Sequence, residues 1–225
     1  MYKLLIFDWD GTLIDSTRRI ASSVRSAAAD LNLPVPSWYA AQDIIGLGLP
    51  EAIKTLFPGE GDDIIDPMRE RYGHYYLGAD TTPTALFPGV QDTLESLSAK
   101  GYRLAVATGK SRKGLDHVFA ETGIGHLFET SRCADETASK PNPLMLHELL
   151  AETGVSPAQA LMIGDTEYDL EMGQRADIDT VAVSYGAHHI DRLTVLKPVV
   201  EIHQFVELEH WLDQHNGLNE HEGIA

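Results

Sequence analysis

The amino-acid sequence predicts an α/β protein: a parallel-sheet core domain with a small helical domain inserted after the first strand. Three observations carry this prediction. Short, uniformly apolar runs recur at Leu4–Phe7, Arg103–Thr108, Ala160–Gly164 and 180–184, as central parallel strands buried on both faces require. Helix-like patterns alternate with the later runs, which calls for right-handed crossovers between parallel strands. The interval 8–102 is too long for one crossover, and most of it is helical in pattern.

The first run, LLIF, ends at Asp8, and Asp10 stands one residue beyond it. Like charges this close raise each other's ionisation cost, so their place at the end of a buried strand needs a reason. In STRRIASSVRSAAADLNL, Ile20, Val24, Ala27, Ala28 and Leu31 recur at helical spacing. LPEAIKTLF and DPMRERYGHYYL follow, each opened by proline-containing turn chemistry. TPTALFPG (82–89) then returns the chain to the sheet. The predicted boundaries are 1–14 with 87–225 for the α/β catalytic core, and 15–86 for the helical domain.

After the strand RLAVAT, RKGLDHVFAETG places Leu115, Val118 and Phe119 on one helix face and stops at Gly123. A weaker strand passes through FETSRC. NPLMLHELLAETG opens with a proline after an asparagine and stops at Gly154, the usual start and stop signals of a helix. ALMIG and TVAVS are two further strands, and PVVEI is a last weak one. The tail HNGLNEHEGIA is polar and expected to fray.

Composition narrows the function. Lys plus Arg number 17 against 34 Asp plus Glu, a net charge of −17 over 225 residues. This argues against nucleic-acid and anionic-membrane partners, which need a basic face. A cationic pocket for a small phosphorylated ligand remains compatible with it. Cys133 is the single cysteine, so no intrachain disulfide forms, and a small buried hydrophobe is the expected role. Asp8 interrupts the amino-terminal apolar segment after four residues, unlike a signal peptide. No run reaches the roughly 20 apolar residues of a membrane helix. A cytoplasmic protein is expected, as a monomer or homodimer.

In an open parallel sheet, ligands bind outside the carboxyl ends of the strands. Asp8, Thr108 and Asp165 each end or follow a strand, and Lys140 lies in SKPNP after the weak third one. All four therefore converge on one edge. Asp8, Asp165 and Asp169 would form an oxygen-rich cluster suited to a hard divalent cation, Mg²⁺. Such a cation offsets the carboxylate repulsion and neutralises phosphoryl oxygens. One carboxylate can attack phosphorus while another protonates the leaving oxygen and later deprotonates water. Thr108 would add a hydroxyl donor and Lys140 a positive charge.

DWDGTLIDS, ATGK, SKPNP and GDTEYDLEMG, in this order and spacing, resemble the four motifs of the haloacid-dehalogenase superfamily across nearly the whole chain. They most resemble the branch containing phosphoglycolate phosphatases and β-phosphoglucomutases, which carries a helical cap after the first motif. The resemblance implies a Rossmann-like sheet, with Asp8 as nucleophile and Asp10 as acid/base and backbone-carbonyl metal ligand. It implies Thr108 and the main chain near Gly109 as phosphate binders, and Lys140 holding nucleophile and phosphate together. Asp165 would ligate Mg²⁺, with Asp169 supporting it. The implied reaction is Mg²⁺-dependent hydrolysis of a small, phosphoglycolate-like phosphate monoester through an aspartyl-phosphate. A sugar-phosphate mutase is the alternative, and a pyrophosphatase or nucleotidase fits less well. A dehalogenase needs neither Asp10 nor a metal. A non-catalytic phospho-ligand protein would leave the acid/base pair unexplained.

Several residues have a plainer reading beside the sharp one. Asp165 can cap the helix through EYDLEMG, and Asp169 can favour that helix's dipole. Lys110 can add charge at the active edge or be solvated. Trp9, where Leu or Met is commoner, should point away from the site, and Asp177 replaces a frequent glycine in left-handed geometry. Gly46 and Gly48 in GLGLPEA belong to a substrate-touching loop or to a simple helix connection. Arg18, Arg19 and Lys54 are candidate contacts for a substrate carboxylate or second phosphate, or solvated helix charges. His188 or His189, after the last strong strand, can line the cleft.

Overall fold

The computed structural model describes residues 1–221, with side chains to 215. Six parallel strands form one sheet: β1 (Leu4–Phe7), β2 (Arg103–Thr108), β3 (Thr130–Cys133), β4 (Ala160–Gly164), β5 (Asp179–Val183) and β6 (Val200–Ile202), in the order β3-β2-β1-β4-β5-β6. The chain enters at the centre, builds outward to β3, then returns to lay β4 against the other side of β1. The order therefore reverses between β1 and β4, where a crevice opens at the strand ends. Phe7 pairs in register with Val106 on one side and Ile163 on the other, which sets Asp8 and Asp165 at that crevice.

The uniform apolarity of the strands is explained by their two covered faces. Leu5, Phe7, Leu104, Val106, Leu161 and Ile163 face one cluster, with α5 (Val90–Ala99), α6 (Arg112–Thr122) and α10 (Glu207–His221) on it. The alternate residues Leu4, Ile6, Ala105, Ala107, Ala160 and Met162 face the other, under α7 (Leu144–Thr153) and α8 (Glu167–Arg175). The period of two is thus kept, with apolar side chains on both faces. Each large side chain so buried contributes about 1.5–3 kcal/mol. Trp9 is fully buried and packs edge-on to Phe119 at 5.2 Å and Phe128 at 6.1 Å, away from the crevice. Asp177 holds φ 56°, the left-handed conformation expected of it.

Between β1 and β2 lie α1 (Thr17–Asp30), α2 (Trp38–Asp43), α3 (Leu49–Leu56), α4 (Ile65–His74) and a π-helical turn, Tyr75–Ala79. They bury their own apolar clusters, one around Ala27, Ala28, Ile53, Phe57 and Met68, another around Ile20, Val24, Ile45 and Tyr76. The two strands of chain that join this insertion to the sheet are paired. Asp15 N donates to Ala85 O at 2.8 Å, Phe87 N to Leu13 O at 3.0 Å, and Ile14 bridges Leu86.

Two details differ from the sequence reading. The strand read at 180–184 is shifted one residue earlier, with Ser184 in a bend whose N–H still bonds Ile202 O at 3.0 Å. The polar tail read from 215 onward continues α10 as far as His221, a helix that Leu208 and Leu212 hold in the core. Residues 222–225 of that tail lie outside the described residues. The short helices α2 and α9 (Ile190–Thr194) have too few turns to show a period.

Candidate active site

The first carboxylate, Asp8, is the residue after β1 and is 1 % exposed. Its N–H completes the ladder to Ile163 O at 2.9 Å, which fixes the backbone. Lys140 Nζ donates to Asp8 Oδ1 at 2.6 Å, whereas Asp8 Oδ2 is buried without a hydrogen-bond partner. The carboxylate is thus anchored by one oxygen and presents the other. Lys140, also 1 % exposed, lies 2.7 Å from Asp169 Oδ1. That oxygen accepts no directed hydrogen bond, so we read the contact as an ion pair set by proximity. Burial alone would push the Lys140 ammonium down, but Asp169 and Asp8 outweigh it and hold its pKa above the ordinary value.

Asp165 follows β4 and is fully buried. Its Oδ1 accepts from Thr12 Oγ1 at 2.9 Å and its Oδ2 from Ala187 N at 2.7 Å. Asp165 is not the cap of α8: Thr166 holds that position. Asp169, in the first turn, accepts on Oδ2 from Thr166 N at 3.1 Å and Thr166 Oγ1 at 2.7 Å. Gly11 makes the close approach possible. Its φ is +84°, and a Cβ there would lie 2.2 Å from Asp165 Oδ2, so no side chain fits between the first motif and Asp165.

Oxygens of Asp8, Asp165 and Asp169 lie within 4.8 Å of one another, all buried. When ionised, these three carboxylates face the single Lys140 ammonium, which leaves two negative charges for the site to offset. Burial first, with neighbouring carboxylates adding to it, pushes Asp165 up to about 7 and Asp8 well above its ordinary value despite Lys140. An orphaned buried oxygen, a cluster of hard oxygen donors and an excess of two negative charges fit one divalent cation.

Asp10 stands apart from this cluster. Ser16 Oγ donates to its Oδ1 at 2.6 Å and Lys110 Nζ lies 2.9 Å from its Oδ2. Both oxygens are held, so the group is aimed, and it lines the cavity with Asp8, Thr108 and Gly109. Lys110 is not solvated. Its side chain is buried, it donates to Tyr76 Oη at 3.0 Å and it sits 4.6 Å from the centre of the Tyr76 ring. Thr108 is buried at the end of β2, and its Oγ1 accepts from Lys110 N at 3.2 Å. The sequence reading passed over Ser16 as a site residue, since a serine just before a helix reads as an N-cap. Here its side chain makes no capping bond and is turned to Asp10.

Of the GLGLPEA loop, Gly46, Leu47 and Leu49 line the cavity and Gly48 does not. Gly48 N donates to Ser139 Oγ at 2.8 Å. A Cβ on Gly109 would come within 2.5 Å of both Gly46 O and Leu47 O. Gly109→Ala should therefore displace this loop and lower kcat/KM by on the order of 10–10²-fold. A value within twofold of wild type would show that the loop's seat is unimportant.

Other candidates fall elsewhere. Arg19 donates to Asp80 O at 2.7 Å, Lys54 pairs with Asp62 at the surface, and Arg18 is exposed; none lines the cavity. His188 is buried and outside the cavity lining. Its Nδ1 accepts from Glu167 N at 3.2 Å and its Nε2 lies 3.0 Å from Asp43 O, so it ties the helical insertion to the sheet. His189 is exposed at the start of α9. Cys133 is buried, and its thiol is pushed up to about 12 by that burial, which leaves it unreactive.

A parallel sheet that brings a carboxylate cluster, a buried lysine and a threonine to the carboxyl ends of its strands has the parts that phosphoryl-group chemistry needs. The comparisons with known proteins agree. The chain belongs to the haloacid dehalogenase-like hydrolase family, whose model matches residues 5–183. A phosphoglycolate phosphatase of Haemophilus influenzae is 33% identical over 216 residues, 92% of this chain and 96% of that protein. One of Pasteurella multocida is 34% identical over 206 residues, 88% and 92% of the two chains. A crystal structure of a predicted phosphoglycolate phosphatase from Haemophilus somnus superposes with TM-score 0.83 at 30% identity, covering 94% of this chain and 98% of that one. The protein is a phosphoric monoester hydrolase of this family. No helix among the described residues is long and apolar enough to cross a membrane.

Proposed function

We propose that this chain hydrolyses a small phosphate monoester in the cytoplasm, with Mg²⁺, through an aspartyl-phosphate on Asp8. The observation that carries the reading is the state of Asp8: one oxygen fixed by Lys140, the other buried and free. The free Oδ2 attacks phosphorus as the ester oxygen leaves with a proton from the protonated form of Asp10. Asp10, now ionised, takes a proton from water as that water attacks the phosphorus, and Asp8 and inorganic phosphate are released. Thr108 Oγ1 and the Gly109 main chain bind the phosphoryl oxygens, and Lys140 keeps Asp8 and the phosphoryl group together.

The side chains of Asp8, Asp165 and Asp169, with the main-chain carbonyl of Asp10, would hold Mg²⁺, which supplies charge neutralisation of the phosphoryl oxygens when bound. The helical insertion, residues 15–86, acts as a cap domain over the cavity and excludes bulk water. A free phosphorylated metabolite is the partner, and the names of the relatives make phosphoglycolate the reference compound. Phosphate release from phosphoglycolate and p-nitrophenyl phosphate tests the activity. EDTA should reduce it by at least about 10²-fold and added Mg²⁺ should restore it. Full turnover in EDTA would remove the cation from this reading.

A further inference from the structure

The cavity above Asp8 and Asp10 is larger and less polar than a two-carbon acid requires. Its volume is about 990 Å³, at the top of the range of roughly 300–1,000 Å³ for sites that enclose drug-sized ligands. Ile20, Val24, Ile45, Leu49, Tyr72 and Tyr76, all from the helical insertion, line it. Asp8, Asp10 and Thr108 supply polar lining from the sheet, and these six side chains supply apolar lining from the insertion.

The cations are placed against recognition of a carboxylate. Lys140 is committed to Asp8 and Asp169, and Lys110 to Asp10 and Tyr76. The other Lys and Arg among the lining residues, Arg69 and Lys113, are exposed and share the rim with the exposed acids Glu51, Glu70 and Asp135. Two further lining residues, His74 and His117, are also exposed, and His117 lies 3.5 Å from Glu121. No buried, uncommitted cation among the described lining residues faces the space that a leaving group would fill.

We propose that the preferred substrate is a phosphate monoester whose leaving group is uncharged and largely apolar, an alkyl or aryl alcohol larger than glycolate. This inference rests on the phosphatase reading of the same site. The apolar body fills the space between α1 and the π-helical turn, and its burial against the cap side chains favours the bound state in proportion to its area. A glycolate carboxylate would lose water there without gaining a cation.

The test is a kcat/KM series with Mg²⁺ over phosphoglycolate, ethyl, butyl, hexyl and phenyl phosphate. Calorimetric binding of the same compounds to Asp8→Asn runs beside it. Each added methylene should raise kcat/KM by roughly fourfold, so that hexyl phosphate exceeds ethyl phosphate by on the order of 10²-fold and butyl phosphate exceeds phosphoglycolate. Good turnover with a flat alkyl series, or with phosphoglycolate best, would overturn the inference and leave the phosphatase reading standing. No phosphate release from any compound, with affinity still rising along the series, would do the reverse. Flat affinity without turnover would overturn both.

Discussion

Asp8→Asn should abolish turnover, with kcat reduced by on the order of 10⁴-fold or more, while the protein stays folded. The size follows from the role: a group that forms the covalent bond has no substitute nearby. Asparagine keeps the shape and the Oδ1 acceptor for Lys140, so the packing at the end of β1 is preserved. It also removes one of the three carboxylates that crowd the buried cluster, so the melting temperature should not fall. The decisive contrast is with Asp10→Asn. There Asp8 Oδ2 is still free to attack, and the loss is that of an acid/base, about 10²–10⁴-fold. Phosphate release and thermal melting of both variants give the result. Activity of Asp8→Asn within tenfold of wild type would end the covalent mechanism.

How far the sequence anticipates this arrangement can be judged residue by residue. The strands were legible because burial on both faces leaves an unbroken apolar run, and LLIF, RLAVAT and ALMIG coincide with β1, β2 and β4. The helix stops were legible because Gly123 and Gly154 take left-handed φ of 73° and 67°. The convergence of Asp8, Thr108, Lys140 and Asp165 followed from strand ends alone, and the structure brings Asp8, Asp165 and Asp169 within 4.8 Å. What sequence could not show is which side chain turns where. Ser16 has the pattern of a helix cap and instead fixes Asp10. Lys110 has the pattern of a solvated loop lysine, and only its distant partners Asp10 and Tyr76 show that it is buried. His188 has the pattern of an ordinary loop histidine as much as of a cleft residue, and it meets Asp43, 145 residues distant. Each of these depends on a contact between the insertion and the sheet, or on one rotamer, and neither is written in local spacing.

Lys140→Met is expected to have the second largest effect, and it acts on stability as well as rate. Methionine approximates the lysine stem in volume, so the change removes the charge with little cavity. Asp8 and Asp169 then face each other without the ammonium that lies 2.6 and 2.7 Å from them. Breaking a buried ion pair from one side costs about 3–5 kcal/mol. Proton uptake by the carboxylates relieves part of that, because burial already favours the neutral form of Asp8. A net loss of about 3 kcal/mol would lower the melting temperature by roughly 6–12 °C in a chain of this size. Turnover should fall by about 10²–10³-fold, the scale for losing one charged donor to a developing oxyanion. Lys140→Arg should not rescue it, since a planar fork cannot replace a compact ammonium in a site with 1 % exposure. The two readouts separate the roles. A lowered melting temperature with near-normal kcat/KM would make Lys140 a structural counter-charge only, whereas loss of both ties the cluster's stability and its chemistry to the same ammonium.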